Sequence, residues 1–155
     1  MQDLHLVNEA MVPLHPVVPN PYALLSQIPE TASWFTVLSL KDAFFSIPLA
    51  KASQFVFAFE DPSDSSTQLT WTLLPQGFRD SPHLLGQALA RDLANVKASK
   101  PVKIIQYMDD IFVCADTEEQ CKVTFSYMLT KERAYISWPN KYFMASQRNQ
   151  KNHTG

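Results

Sequence analysis

Hydrophobic and polar residues alternate along this chain in a way that separates strands from loops. Trp34 to Leu40 is rich in aromatic and β-branched residues and predicts a strand. Phe55 to Glu60 and Gln68 to Leu74 predict paired strands, because the polar run from Asp61 to Ser66 between them is typical of a loop. Ile104 to Ala115 consists of two apolar runs with an acidic break between them, which predicts a second hairpin.

Two other segments have the spacing of amphipathic helices. Ser81 followed by Pro82 is typical of an N-cap and first helical turn. The apolar residues that follow at helical spacing are Leu84, Leu85, Ala88, Leu89 and Leu93. Thr117 with Gln120 predicts a capping box for another helix. The apolar stripe of that helix comprises Cys121, Phe125 and Met128. Each helix has one apolar face, so we expect both to pack on a sheet.

The ends of the chain have weaker patterns. Met1 to Pro21 is rich in proline, which predicts an extended lead-in without a long helix. Tyr22 to Ile28 predicts a short helix closed by Pro29, and Ala134 to Trp138 predicts a returning strand. Residues 146–155 have no apolar periodicity, and we expect a disordered tail there.

This order of elements predicts an α+β fold, an antiparallel sheet with helices packed on one face. The 155 residues are 46% hydrophobic and 18% charged, which suits one globular domain with a real core. The formal net charge is −2, so the chain lacks the overall basic surface that drives non-specific binding to nucleic acid. Overall charge therefore does not indicate a polynucleotide partner, and only local motifs could.

The cysteines and the hydropathy of the chain indicate the cellular compartment. Cys114 and Cys121 lack metal-ligand spacing, and the four histidines are scattered. No apolar run approaches the length of a membrane span, and the N-terminus lacks the basic and apolar regions of a signal peptide. We expect an intracellular, cytoplasmic protein that does not associate with membranes.

The strongest candidate for chemistry is the acidic pair Asp109 and Asp110, which follows Tyr107 and Met108. Strands on both sides would place the two carboxylates at the tip of a hairpin. Like charges this close repel unless a cation neutralises them, and Mg²⁺ typically takes one or two protein carboxylates plus substrate phosphates. The pattern indicates phosphoryl transfer, and the alternative is a solvated turn, in which Asp is common.

Six short motifs extend the argument beyond the acidic pair. They are Val17-Val18-Pro19-Asn20-Pro21-Tyr22, Leu40-Lys41-Asp42-Ala43-Phe44-Phe45, Phe57-Ala58-Phe59-Glu60, Leu69-Thr70-Trp71-Thr72, Leu74-Pro75-Gln76-Gly77-Phe78 and Tyr107-Met108-Asp109-Asp110. Their order and spacing resemble those of retroviral reverse transcriptases, and the similarity is greatest to the gammaretrovirus-like type of endogenous retroviral polyproteins. The resemblance implies that residues 1–145 are a partial reverse transcriptase domain, a fingers remnant and a palm. Residues 146–155 would be a divergent tail.

The resemblance implies a metal site with one departure. Asp109 and Asp110 match the family's paired carboxylates, which hold Mg²⁺ in a two-metal site that activates the primer 3′ hydroxyl and neutralises the pyrophosphate leaving group. Ser39 occupies the position of the third catalytic Asp, and a neutral hydroxyl cannot replace a bridging anion. Asp42 does not substitute, because the family carries an Asp there as well. We therefore expect impaired Mg²⁺ binding and defective catalysis.

The resemblance also implies a nucleotide site. The backbone at Asp42 and Ala43 matches donors to the dNTP triphosphate, Phe44 matches the aromatic gate beneath the incoming sugar, and Gln76 matches a residue that contacts the incoming nucleotide. From the residues alone, core packing for Phe44 and a turn hydrogen bond for Gln76 remain open.

The segments that the family has and this chain is expected to lack leave three roles open. In the family, fingers strands that precede the segment matching Gln2 supply Lys and Arg to the triphosphate, and a thumb follows, so we expect this chain to hold neither and to bind an RNA or DNA template-primer weakly. His5 stands where close relatives have Arg. The open roles are an inactive polymerase remnant, a weakly active polymerase in a larger assembly, and a non-catalytic module that binds nucleic acid or another polymerase chain.

Overall fold

The computed structural model describes residues 2–14, 19–40, 42–96, 101–131 and 145–147, and these residues have an α+β architecture. The helices are α1 (His5–Ala10), α2 (Pro21–Leu25), α3 (Lys51–Gln54), α4 (Ser81–Ala94) and α5 (Glu118–Lys131). The strands are β1 (Trp34–Ser39), β2 (Phe59–Asp61), β3 (Asp64–Leu69), β4 (Lys103–Tyr107), β5 (Asp110–Ala115) and β6 (Ala145–Gln147). Short 3₁₀ helices span Ala43–Ser46 and Phe55–Phe57.

The central sheet is antiparallel and has the strand order β4-β5-β1-β6. Aromatic and β-branched residues dominate β1 and β5, which favours a pleated, half-buried backbone. In the register of β5 with its two neighbours, Asp110 lies opposite both Ser39 and Tyr107. These three residues therefore lie abreast on adjacent strands.

One face of this sheet packs against α4 and α5. Ile111 and Val113 of β5 point to this face and are fully buried. Leu89 of α4 and Met128 of α5 pack into the same cluster. Residues two apart on a strand share a face, so alternate positions of β5 supply the core. We call this side of the sheet the helix face.

The other side we call the open face, and the described residues cover it at one end only. There, Leu24 of α2 packs with the buried residues Ile105 and Cys114. Phe35 and Phe112 stack beside them, with ring centroids 5.7 Å apart. Beyond this contact lies an apolar groove of about 260 Å³ that reaches Asp110. The sheet residues that line the groove are Val37, Ile105, Tyr107, Asp110 and Phe112.

A second apolar cluster joins the N-terminal segment to the loop before α4. Its buried residues are Leu4, Phe57, Leu74 and Phe78. The rings of Phe57 and Phe78 meet edge to face, with centroids 5.2 Å apart. This cluster holds the N-terminal segment, the 3₁₀ helix Phe55–Phe57 and the loop before α4 in one unit.

Most of the predicted elements are confirmed. The strand at Trp34, the hairpin that contains the acidic pair, the short helix after Pro21 and the two amphipathic helices all form. The predicted capping box is present, since Thr117 N donates to Gln120 Oε1 at 3.1 Å and Gln120 N donates to Thr117 Oγ1 at 3.4 Å. Helices α4 and α5 share one face as expected, while α2 touches the other.

Several boundaries differ from the predictions. The lead-in contains the helix α1, because Leu4 is buried and anchors that segment by tertiary packing. The β2-β3 hairpin lies closer to its turn than predicted, since Asp64 to Ser66 belong to β3 and Phe55 to Phe57 form a 3₁₀ turn. The N-cap of α4 is Asp80, one residue before the predicted Ser81.

Two predictions fall on the C-terminal part of the chain. The strand predicted for Ala134 to Trp138 lies outside the described residues. Ser146 and Gln147, predicted to begin a disordered tail, belong to β6 and pair with β1, because the edge of that strand offers them backbone partners. Among the helices that the structure describes, none has the length and apolar character needed to cross a membrane.

Candidate functional site

The acidic pair lies where β4 turns into β5. Tyr107 ends β4, Asp109 occupies the turn, and Asp110 begins β5, so one carboxylate is at the tip and the other is on the strand. Met108 takes a left-handed backbone conformation, with φ 52°, which tightens the turn. Leu40 N donates to Asp109 O at 3.0 Å and fastens the end of β1 to this turn.

Ser39 and Asp110 are in direct contact. The Ser39 hydroxyl donates to Asp110 Oδ1 at 2.5 Å, across a separation of 71 positions in sequence. Both side chains lie on the open face, because Leu38 and Ile111 beside them point to the helix face. Asp109 and Ser39 are exposed and Asp110 is half-buried, so the carboxylates are accessible to an ion from solvent.

The side chains present do not fit a two-ion site. Among the described residues, no group of three or more His, Cys, Asp or Glu side chains comes together. Two carboxylates, Asp109 and Asp110, can neutralise one divalent cation, but they leave the charge of a second cation uncompensated. The position that the resemblance assigns to a third carboxylate holds the Ser39 hydroxyl, whose proton is already donated to Asp110.

The residues proposed for the nucleotide lie in two neighbouring loops. Asp42 has φ 54° and begins the 3₁₀ helix Ala43–Ser46, in which Phe45 N donates to Asp42 O at 2.9 Å. Ala43 is buried, which fixes the backbone there. Phe44 packs partly against both apolar clusters, so the core packing considered from sequence is present.

Gln76 is exposed in the loop before α4, next to Gly77, whose φ of 97° suits glycine. The sequence did not predict the hydrogen bonds that hold this loop. Asn8 donates its side-chain amide to Gly77 O at 3.0 Å and accepts from Arg79 N at 2.8 Å. The N-terminal segment therefore braces the loop that presents Gln76, and a lone Asn far upstream carries no local signal of that contact.

The apolar wall beside Asp110 was also missed. Phe112 lies two residues from Asp110 on the same face of β5, Tyr107 lies opposite Asp110 on β4, and Val37 lies opposite Phe112 on β1. The period-two alternation of β4 and β5 contained this information once the strand register was known.

The two cysteines do not add to the site. Burial raises the pKa of Cys114 to about 11, with the nearby Cys121 thiol and Lys103 as lesser influences. Burial also raises the pKa of Cys121. Both thiols stay protonated near neutral pH, and a protonated thiol is a poor metal ligand and nucleophile.

Comparison with known proteins agrees with this geometry. Residues 1–138 match the family described as reverse transcriptase (RNA-dependent DNA polymerase). The chain is 52% identical over 125 residues to the Gag-Pol polyprotein of avian reticuloendotheliosis virus, and 48% identical over 141 residues to that of baboon endogenous virus (strain M7). These alignments cover 78% and 87% of this chain but 11% and 8% of the polyproteins, so the chain spans about a tenth of the length of these relatives.

Solved structures show the same fold. A foamy viral protease-reverse transcriptase in complex with double-stranded DNA has a TM-score of 0.67 and 26% identity, covering 86% of this chain and 22% of that one. A foamy viral protease-reverse transcriptase in complex with an RNA/DNA hybrid has a TM-score of 0.63 and 25% identity, covering 82% and 16%. The family match, the identity to retroviral polyproteins and the shared fold all agree, and this chain belongs to the reverse transcriptase family.

Proposed function

We propose that this chain is the palm-centred remnant of an RNA-directed DNA polymerase and that it is catalytically defective. The observation that carries the proposal is the Ser39 hydroxyl, which stands beside Asp110 where the resemblance places a third carboxylate. The geometry supports this assignment, because β1 and β5 bring Ser39 opposite Asp110 in register.

The expected defect follows from charge. A two-ion polymerase site brings four positive charges close together, and carboxylates shared between the ions offset their repulsion. With Ser39 in place of an anion, Asp109 and Asp110 supply only part of that compensation. Loss of one preorganised stabilising group typically lowers turnover by about 10² to 10³, and loss of a metal ligand should lower it at least as much.

The proposed cofactor is Mg²⁺ at Asp109 and Asp110. The proposed partners are an RNA or DNA template-primer and a dNTP. Backbone donors at Asp42 and Ala43 would face the triphosphate, Phe44 would lie beneath the sugar, and Gln76 would contact the nucleotide. We also propose a cytoplasmic location. The proposed substrate, a dNTP, is an intracellular compound, and the two free buried cysteines suit a reducing compartment.

Primer extension tests the proposal. The unmodified chain, Ser39→Asp, Ser33→Asp and Asp110→Asn would be assayed on poly(rA) primed with oligo(dT), with Mg²⁺ and separately with Mn²⁺. We expect the unmodified chain to match Asp110→Asn, and Ser39→Asp to exceed both by about 10² or more. Ser33→Asp adds the same charge at the other end of β1 and should restore nothing.

Two results would contradict the proposal. Extension by the unmodified chain well above the Asp110→Asn background would contradict inactivity and favour a weakly active polymerase. A Ser39→Asp variant that folds but extends no primer would contradict the claim that Ser39 by itself accounts for the defect.

A second candidate function is a non-catalytic module that binds nucleic acid or another polymerase chain. It is favoured by the structural neighbours, which are foamy viral enzymes in complex with double-stranded DNA or an RNA/DNA hybrid. Fluorescence anisotropy with a labelled primer-template at several salt concentrations tests it. Salt-dependent binding in the low micromolar range would support the module, because phosphate contacts release counterions, whereas no binding at low salt would contradict it.

A further inference from the structure

The hydrogen bond between Ser39 and Asp110 points to more than a missing ligand. Asp110 has two carboxylate oxygens, and the Ser39 hydroxyl donates to one of them, Oδ1, at 2.5 Å. The contact is built into the fold, since the register of β1 with β5 sets the two residues opposite each other and Leu40 N bonds to Asp109 O beside them.

We propose that the acidic pair takes one divalent cation rather than two, and that the Ser39 hydroxyl opposes even this ion by occupying Asp110 Oδ1. This inference rests on the proposed function, which assigns metal binding to Asp109 and Asp110. It goes beyond that function because it gives Ser39 an active role against the metal, as a hydrogen-bond competitor.

Geometry favours competition over joint coordination. Mg²⁺ holds its ligands near 2.0–2.1 Å in octahedral geometry, so two adjacent ligand oxygens lie about 2.9 Å apart. The Ser39 hydroxyl instead directs its proton at Asp110 Oδ1, as in a charge-assisted hydrogen bond, and its oxygen would have to turn toward the ion to serve as a ligand. A cation at Oδ1 would share that oxygen with the hydrogen bond, which draws electron density away from the ion.

The side chains around Asp110 supply no negative charge for a second ion. On the groove side, Asp110 is flanked by Val37 and Phe112, which carry no ligand atoms in their side chains, and by Tyr107, which is not a carboxylate. Ser39 supplies no charge on the β1 side. The described residues bring together no third acidic, histidine or cysteine side chain at this point. One cation is therefore all that the charge of Asp109 and Asp110 can hold.

Counting bound Mn²⁺ by the electron paramagnetic resonance signal of the free ion tests the proposal without any catalytic readout. We expect at most one Mn²⁺ per unmodified chain. Ser39→Ala frees Oδ1 and should bind one Mn²⁺ roughly 10-fold more tightly, in line with the net strength of a hydrogen bond to a charged group. Ser39→Asp should bind two.

Ser33→Ala is the matched control. Ser33 precedes the same strand, and its hydroxyl donates to Thr31 O at 3.3 Å rather than to a carboxylate. This variant should bind Mn²⁺ like the unmodified chain. Circular dichroism of each variant confirms that the fold is kept.

The outcomes separate the two proposals. Mn²⁺ binding that persists in Asp109→Asn and Asp110→Asn would show that the pair is not the metal site, which overturns the proposed function and this inference with it. Binding that needs the pair but is unchanged or weaker in Ser39→Ala would overturn the competitor role alone. Two ions on the unmodified chain would overturn the single-ion claim, and no binding by any variant would contradict both proposals.

Discussion

The two faces of the central sheet use the same strands for different purposes. On the helix face, Ile111 and Val113 are fully buried against α4 and α5. On the open face, the neighbouring residues Asp110 and Phe112 border a groove and are only partly covered. A strand alternates between faces at every residue, so β5 supplies the core with one set of side chains and the candidate site with the other.

This contrast indicates which property a substitution on each face should affect. The helix face is a largely apolar, close-packed layer, and a large-to-small substitution there leaves a cavity that lowers stability. The open face holds its polar residues in place by strand register and a few hydrogen bonds, such as that from Ser39 to Asp110. Substitutions on the helix face should alter stability, and those near Asp110 should alter ion binding.

The largest expected effect is on the helix face. Ile111→Ala should lower the free energy of unfolding by about 3 kcal/mol, because it removes buried methylene groups and leaves a cavity. Val37→Ala, on the open face at 40% exposure, should lower it by about 1 kcal/mol or less. Urea denaturation followed by circular dichroism measures both. Equal losses would mean that the open face is as tightly packed as the helix face.

The dependence of stability on pH tests the burial of Cys114, which lies at the covered end of the open face. Burial raises the pKa of Cys114 from its ordinary 9.0 to about 11, so folding favours the protonated thiol. The stabilisation is complete below pH 9 and is lost as pH rises from 9 to 11, with a total on the order of 2 kcal/mol. Urea denaturation at a series of pH values measures this loss.

Cys114→Ala is the control for that titration. Removing the thiol should flatten most of the decline between pH 9 and 11, and the remainder would come from groups such as Cys121, whose pKa burial also raises. A decline of the same size in the variant would show that Cys114 is not its source.

A smaller effect is expected at the start of α5, the helix that covers the helix face. Thr117→Ala removes the hydroxyl that accepts from Gln120 N and should lower the free energy of unfolding by about 1 kcal/mol. Mn²⁺ binding should stay the same, because α5 packs on the side of the sheet away from Asp110. A change in ion affinity would show that the two faces are coupled.

The smallest effect is expected at the turn of the candidate site. Met108 has φ 52°, and Met108→Gly should raise the free energy of unfolding by about 0.5 kcal/mol as backbone strain is relieved. Met11, at φ −87°, has no such strain, so Met11→Gly should lower it by about 0.5 kcal/mol through greater freedom of the unfolded chain. Thermal unfolding measures both changes in the free energy of unfolding. If Met108→Gly also lowers it, backbone strain at Met108 is contradicted.

Local patterns predicted the elements whose causes are local. The capping box of Thr117 and Gln120 spans four residues, and the apolar spacing in α4 is a property of one segment, so both were visible in the sequence. The β2-β3 hairpin was misplaced because its turn is only Pro62 and Ser63, where Asp61 accepts a hydrogen bond from Ser63 N at 2.8 Å, so the polar residues from Asp64 onward extend β3. Helix α1 was missed because its anchor, Leu4, gains its partners only by tertiary packing.

The sequence by itself determined the alternation of the strands, the acidic pair at their turn, and a set of motifs in register with one enzyme family. These depend on the order of residues along short stretches of chain. Only the tertiary structure decided that Ser39 donates to Asp110, that α2 closes one end of the open face, and that Asn8 braces the loop at Gly77. Such contacts join residues far apart in sequence, and strand register and packing of the whole core select them from many alternatives.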